Sequence, residues 1–247
     1  MFDQNFILFV IIGFTAQMVD GALGMAYGVS TTTLLLTLGV SPAAASASVH
    51  LAETVTTGLS GISHFSFGNV NWYLVKRLII PGSMGAIIGA YILSSIEGEI
   101  IKPYISAYLL AMGALILFKA IRKIEISNVR SHLIPLGLVG GFLDAIGGGG
   151  WGPIVVSTLL ARGNDPRFTI GSVNFAEFFV TLAASITFLL TVGLVQWQII
   201  LGLAVGGGIA APLAAYVSKH LHTRTLMIIV GVLIILLSVR TLYQTIK

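Results

Sequence analysis

The sequence predicts an all-α polytopic membrane protein. It would be built as two inverted repeats of about five helical segments, each opened by a glycine-rich broken helical hairpin. Three observations carry that prediction. The 247 residues are 56% hydrophobic and only 9% charged, with mean hydropathy +0.98, where a soluble domain carries about 25% charged residues. Two apolar runs are interrupted by glycines, first over Asp20–Gly28 and again over Asp144–Pro153. A fixed offset of 124 residues lays the first break on the second and much of one half on the other.

The segments follow in order. Phe6 to Val40 has Asp20 as its one charge and is too long for a single span of about 20 residues. It divides at Gly21–Gly28 into segments over 6–20 and 22–39. Ser41-Pro42 starts a third, 43–66; Gly68-Asn69 makes a turn, and Trp72 opens a fourth, 72–95, as an interfacial aromatic. A polar loop with Glu97, Glu99 and Lys102 precedes the segment 103–121, and the basic linker Arg122–His132 closes the first half. The second half repeats the plan over 133–146, 150–161, 168–190, 197–218 and 224–243. Four consecutive glycines and Pro153 cannot continue one helix, so 133–146 and 150–161 should meet at an irregular tip.

The offset maps Asp20 on to Asp144, Gly24 on to Gly148, Gly28 on to Gly152, Gly39 on to Gly163 and Pro42 on to Pro166. Ser48, Val49, Ala52 and Glu53 fall on Ser172, Val173, Ala176 and Glu177. After one inserted residue, the turn 68–72 matches 193–197. This is an internal duplication, with repeats over 1–122 and 123–247.

Charge then sets the topology. If each broken pair enters and returns on the same side, each repeat crosses an odd number of times and the second is inverted. One face collects Lys76, Arg77, Lys119, Arg122, Lys123, Arg130, Arg162, Arg167, Lys219 and Arg224; the other keeps Lys102, Arg240 and Lys247. Basic loops stay cytoplasmic, which places both termini outside. At about 1.5 Å per residue, the segments 6–20 and 133–146 reach roughly 20–22 Å, short of a core about 30 Å thick. Shallow or re-entrant hairpins whose tips meet inside the membrane are therefore expected.

The ionisable residues within the apolar runs are Asp20, His50, Glu53, His64, Asp144 and Glu177. A charge at the bilayer centre is costly, and such groups face a bundle interior or a cavity. Ser46, His50, Glu53, Thr57, Ser60 and His64 recur every three or four residues as one polar stripe, matched by Asn174, Glu177, Thr181 and Ser185. Glu53 and Glu177 are read as proton-exchanging groups, against the alternative of neutral carboxyls hydrogen-bonded across helices. His50, which the offset pairs with Asn174, is a binding candidate or a satisfied packing residue; His64 is interfacial.

Asp20 and Asp144 suit N-caps of the following segments or site lining, as do Thr57 and Thr181. The tip glycines, Gly21, Gly24 and Gly28 with Gly147, Gly148, Gly149, Gly150 and Gly152, allow close backbone approach. Free N–H groups at a half-helix N-terminus favour an anion. Gly82, Gly85, Gly89, Gly202 and Gly206 instead read as helix-crossing faces.

Several classes are excluded. No cysteine is present for disulfides, CxxC zinc sites or a thiolate nucleophile. Net charge +4 and pI 9.5 come from short loops between apolar runs, so nucleic acid is not a partner. HExxH, GxSxG and a Walker loop are missing, and no catalytic residue, cofactor or resident metal is expected. The first residues lack the positive charge of a cleavable signal peptide.

Taken together, these residues resemble the sulfite exporter TauE/SafE family of membrane transporters. The resemblance rests on the doubled glycine-rich hairpin, Asp20–Gly28 and Gly147–Pro153, and on Gly68-Asn69-Val70-Asn71-Trp72 followed by Gly82, Gly85 and Gly89. It implies a permease for small sulfur-containing anions, sulfite or organosulfonates, moved outward across a bacterial or archaeal cytoplasmic membrane. With the carboxylates, the expectation is a proton-coupled secondary transporter. The rivals are a cation transporter using Asp20, Glu53, Asp144, Glu177 and His50 as ligands, and an anion channel.

Overall fold

The computed structural model describes residues 4–121, 132–162, 164–194, 196–217 and 223–246. Among these every regular element is helical: α1 Gln4–Leu23, α2 Tyr27–Thr37, α3 Pro42–Ser66, α4 Trp72–Ser95, α5 Gly98–Ile121, α6 Leu133–Gly147, α7 Ser157–Ala161, α8 Pro166–Thr191, α9 Trp197–Val217 and α10 Thr223–Ile246. A π-helical turn, Gly152–Val156, leads into α7. Among the described residues four stretches are long and apolar enough to cross a membrane: Trp72–Ser95, Gly98–Ile121, Phe168–Thr191 and Met227–Thr245. Trp72 and Trp197 open α4 and α9, both partly exposed as interfacial aromatics are.

Two boundaries differ from expectation. The first break is shorter than Gly21–Gly28, because α1 runs on through Gly21 to Leu23 and α2 begins only at Tyr27. One glycine costs a helix about 1 kcal/mol, too little to end it; the turn comes at Gly24, whose φ is +65°. At 20 residues, α1 is about 30 Å long rather than 20–22 Å, while α6, at 15 residues, is about 22 Å. The other difference is α5, which starts at Gly98 and carries Pro103 inside it. Most of the basic linker (122–131), with Lys123 and Arg130, lies outside the described residues, as does Lys219.

The largest packing surfaces join the two halves. α1 lies along α9, α4 along α6, α3 against α8, and α5 against α10. Thr54 meets Ser185 at 3.2 Å and Ser60 meets Asn174 at 3.1 Å, so α3 and α8 run antiparallel. Gly113 faces Ile234 while Leu117 faces Gly231, which makes α5 and α10 antiparallel as well. α4 and α6 run parallel, Gly137 facing Pro81 and Phe142 facing Gly89; α1 and α9 are also parallel, with Phe9 by Gly202 and Phe14 by Gly206.

Glycines set how closely these helices cross. A Cβ on Gly85 would collide with the Leu138 backbone, one on Gly89 with the Phe142 carbonyl, and one on Gly202 would lie 2.6 Å from the Phe9 Cβ. Without a hydrophobic drive between helices in lipid, such close backbone contact is what packs them.

Neighbouring glycines of α9 test this. A Cβ on Gly206 would strike the Val10 carbonyl, whereas one on Gly208 meets only Leu59 Cδ1, at 3.9 Å. Gly206→Ala should destabilise by about 1–3 kcal/mol through overpacking, and Gly208→Ala should be neutral or gain up to about 1 kcal/mol in helix propensity. Unfolding temperatures in detergent would check it: equal shifts for both substitutions would contradict the close α1–α9 crossing.

Candidate functional site

Each break frees backbone amides that have no water to turn to, and each is resolved by an aspartate four residues ahead of the turn. In the first, Gly24 N–H donates to the Asp20 carbonyl at 2.6 Å, and the Asp20 carboxyl oxygen Oδ1 accepts Tyr27 N–H at 3.3 Å. In the second, Gly148 takes φ +69° and Gly149 N–H donates to the Asp144 carbonyl at 2.9 Å. Asp144 Oδ1 accepts Gly150 N–H at 2.7 Å and Trp151 N–H at 2.9 Å. Asp20 and Asp144, Gly24 and Gly148, and Tyr27 and Trp151 each stand 124 residues apart and play the same local part.

The aspartates thus cap from the end of the preceding helix, not as adjacent N-caps. The residue before α2 is Ala26, held at φ 98°, a conformation an L side chain adopts at a cost. Of the amides that open the two following helices, those of Tyr27, Gly150 and Trp151 are occupied by the two carboxyl groups.

The tips then meet. A Cβ on Gly28 would lie 2.7 Å from Gly149 Cα, and one on Gly152 would lie 2.7 Å from Met25 Cα, so only glycine fits either place. Thr32 Oγ1 donates to the Gly148 carbonyl at 2.5 Å, which ties α2 to the second tip. Tyr27 OH reaches the Leu203 carbonyl and Trp151 Nε1 the Val173 carbonyl, both at 3.3 Å. The second tip has further fastenings: Tyr108 OH to the Gly149 carbonyl at 2.8 Å, Lys119 Nζ to the Pro153 carbonyl at 3.0 Å, and Ser46 Oγ to the Ala145 carbonyl at 2.6 Å.

Between the tips and the middles of α3 and α8 is a small cavity. It is lined by Asp20, Ala26, Tyr27, Gly28, Val29, Glu53, Asp144, Gly149, Gly150, Gly152, Pro153 and Glu177. The space left at its centre takes about one water molecule. Among the described residues, four acidic ones border it and no lysine or arginine does. Glu53 and Glu177 are 4% and 7% exposed, and Glu53 Oε2 has no hydrogen-bond partner.

The remaining sequence-named residues sit as follows. Gly24, Gly147 and Gly148 belong to the tips but not to the cavity wall, and Gly21 lies in the last turn of α1. His50 is fully buried beside Asp144: Nδ1 donates to the Ser46 carbonyl at 2.8 Å, and Nε2 stands 3.2 Å from Asp144 Oδ2. Asn174 is not brought to His50; it donates to Ser60 Oγ at 3.1 Å. Thr57 and Thr181 bond the carbonyls of Glu53 (2.6 Å) and Glu177 (2.9 Å) on their own helices, away from the cavity wall. His50, Glu53 and Asp144 offer donor atoms within 4.8 Å of one another, a set able to hold a metal ion.

Tyr108 and Lys119 were not singled out as tip residues by sequence. They stand eleven residues apart, three turns on one face of α5, a signal that becomes legible only once the second tip is known to lie against that face.

A family model described as sulfite exporter TauE/SafE matches residues 9–241. The chain is 46% identical to the probable membrane transporter protein YtnM of Bacillus subtilis (strain 168), over 97% of this chain and 83% of that relative. It is 21% identical to the probable membrane transporter protein YunE of the same organism, over 98% of each chain. No solved structure matches.

The two aspartates differ in what they hold. Asp144→Ala strips the acceptor from two amides and removes the carboxyl beside His50, and buried donors left unsatisfied cost about 1–3 kcal/mol each. Asp20→Ala removes one longer bond, about 1 kcal/mol. Thermal unfolding should therefore fall further for Asp144→Ala; the reverse order would mean that the tips are not held this way.

Proposed function

Because the chain belongs to the sulfite exporter TauE/SafE family of membrane transporters, we propose that it is a secondary transporter of a small sulfur-containing anion. Sulfite or an organosulfonate would be moved, in the export direction, with protons as the coupling ion. The observation that carries this reading is the cavity itself: both tips meet there, and all four acids of the apolar segments border it.

Four like charges around one small cavity in a low-dielectric interior repel strongly. An anion therefore enters among Asp20, Glu53, Asp144 and Glu177 only with positive charge beside it. Protons on Glu53 and Glu177 supply that charge, one from each half. With room for about one water, the cavity corresponds to an occluded state, and sulfite needs the tips to part before it can bind. One half rocking against the other would open it to each side in turn.

The halves 1–122 and 123–247 act in this reading as inverted repeats. The antiparallel pairs α3/α8 and α5/α10 support it, since each pairs a helix with its own counterpart, and so do the capping bonds shared at an offset of 124. Followed through these pairings, the ends carrying Lys76, Arg77, Lys119, Arg162 and Arg224 share one face, opposite Lys102 and Arg240. We take that basic face as cytoplasmic and the termini as outside, in a bacterial cytoplasmic membrane. The second reading, a cation carrier, is favoured by one feature, the clustering of His50, Glu53 and Asp144.

Sulfite flux into proteoliposomes, measured against pH, tests the proposal. Glu53→Gln and Glu177→Gln should each reduce the pH-dependent flux at least tenfold while the protein still folds. Wild-type, still proton-coupled flux in both variants would end the carboxylate assignment, and cation flux without sulfite flux would favour the second reading.

A further inference from the structure

The charge requirement just described has a more specific answer in the geometry. We propose that His50, Glu53 and Asp144 bind a divalent transition-metal ion, such as zinc or cobalt, whose remaining coordination position faces the cavity and takes an oxygen of the transported anion. The inference rests on reading the cavity as an anion transporter's site, and it names what the anion would bind there.

Four features converge on it. His50 Nδ1 lies 2.8 Å from the Ser46 carbonyl, which can only accept, so that nitrogen carries the ring hydrogen. In the neutral ring the lone pair is then on Nε2, which faces Asp144 Oδ2 at 3.2 Å. At that separation a positive centre, a proton or a metal ion, lies between the two atoms. Ligand atoms on a tetrahedral zinc, with bonds of about 2.0–2.2 Å, lie about 3.3 Å apart, so a metal fits this gap without moving either residue far. Metal-ligating histidines also commonly give their other N–H to a backbone carbonyl, as His50 does.

Asp144 is prepared in the same way. Its second oxygen, Oδ1, is fixed by the amides of Gly150 and Trp151, which leaves Oδ2 directed at His50. Glu53 supplies the third ligand. It is 4% exposed, it borders the cavity, and its Oε2 has no partner to give up. The three donor atoms already lie within 4.8 Å of one another, close enough for a side-chain rotation of Glu53 to complete the set.

One imidazole and two carboxylates suit zinc, cobalt or manganese better than calcium, which takes six to eight oxygens. Three protein ligands leave a fourth position for water or for an exchangeable oxyanion. Glu53 and Asp144 both border the cavity, so that position opens into it. Metal binding takes the place of the proton on Glu53, which becomes a ligand, and the proton on Glu177, on the opposite helix, is unaffected.

The test is metal binding to the full-length protein, purified in detergent with its affinity tag removed and stripped with a chelator. Titration with zinc chloride should give about one ion per chain, and cobalt chloride should give the visible absorption bands of a four- or five-coordinate site. His50→Ala and Glu53→Gln should each weaken binding at least tenfold, whereas Glu177→Gln should keep it. No stoichiometric binding to the wild type, or binding untouched by His50→Ala and Glu53→Gln, overturns the metal site. Sulfite flux that persists undiminished in metal-stripped proteoliposomes also overturns it, while leaving the transport reading intact. Stoichiometric binding without sulfite flux upholds the metal site and removes the transport reading instead.

Discussion

The constraint on which this structure depends is that backbone freed from helix away from water must find acceptors within the protein. Two aspartates supply them, one per half, by reaching across a glycine turn to the first amides of the next helix. Each carboxyl is thereby fixed, and with it the angle at which the chain turns back. The turned ends can then stack so closely that glycine is obligatory at 28, 149 and 152. Their meeting encloses the cavity, and it places the middles of α3 and α8 on either side of it. Remove the aspartates and nothing would hold the amides; put a side chain at these glycines and nothing would let the tips touch.

The antiparallel packing of α3 and α8 explains which sequence pairings hold in space. Contacts between Thr54 and Ser185, Gly58 and Phe178, and Ser60 and Asn174 place the crossing point near Thr56–Thr57 on α3 and Val180–Thr181 on α8. Equivalent residues meet only at that point. Glu53 and Glu177 each lie about one turn from it, so both reach the same cavity. His50 and Asn174 lie about two turns from it on opposite sides, roughly 20 Å apart along the axis. An offset in sequence signals equivalence, and equivalence becomes contact only next to the axis relating the halves.

Much of the fold was therefore legible from the chain. The composition gave the class, the glycine breaks gave the hairpins, and segment ends such as Gly68–Trp72 and Gly193–Trp197 fell close to where the helices end and begin. The site was read less completely, for physical reasons. Gly21 was placed in a turn because glycine permits one, yet helix hydrogen bonding carries through it to Gly24. The tip amides were expected to be free for an anion, and three of them, on Tyr27, Gly150 and Trp151, bond instead to Asp20 and Asp144. The His50–Asp144 contact joins residues 94 apart, and no periodicity within one helix announces it.

The two halves agree in backbone and differ in what they fasten to it, and that difference gives the site its polarity. Where α5 presents Tyr108 and Lys119 to the second tip, α10 carries Leu233 and Gln244 at the positions 125 residues on. Where α3 sets His50 beside Asp144, α8 has Asn174, bonded elsewhere. The four acids are arranged symmetrically, so by themselves they would favour positive charge spread evenly about the axis. His50 breaks that balance by drawing charge toward Asp144 and Glu53. Under the proposed transport, an anion that follows the charge is then held to one side, against the second tip. Residues 124 apart bring four carboxyl groups together; in the proposed reading, the one unmatched histidine sets where among them an oxyanion binds.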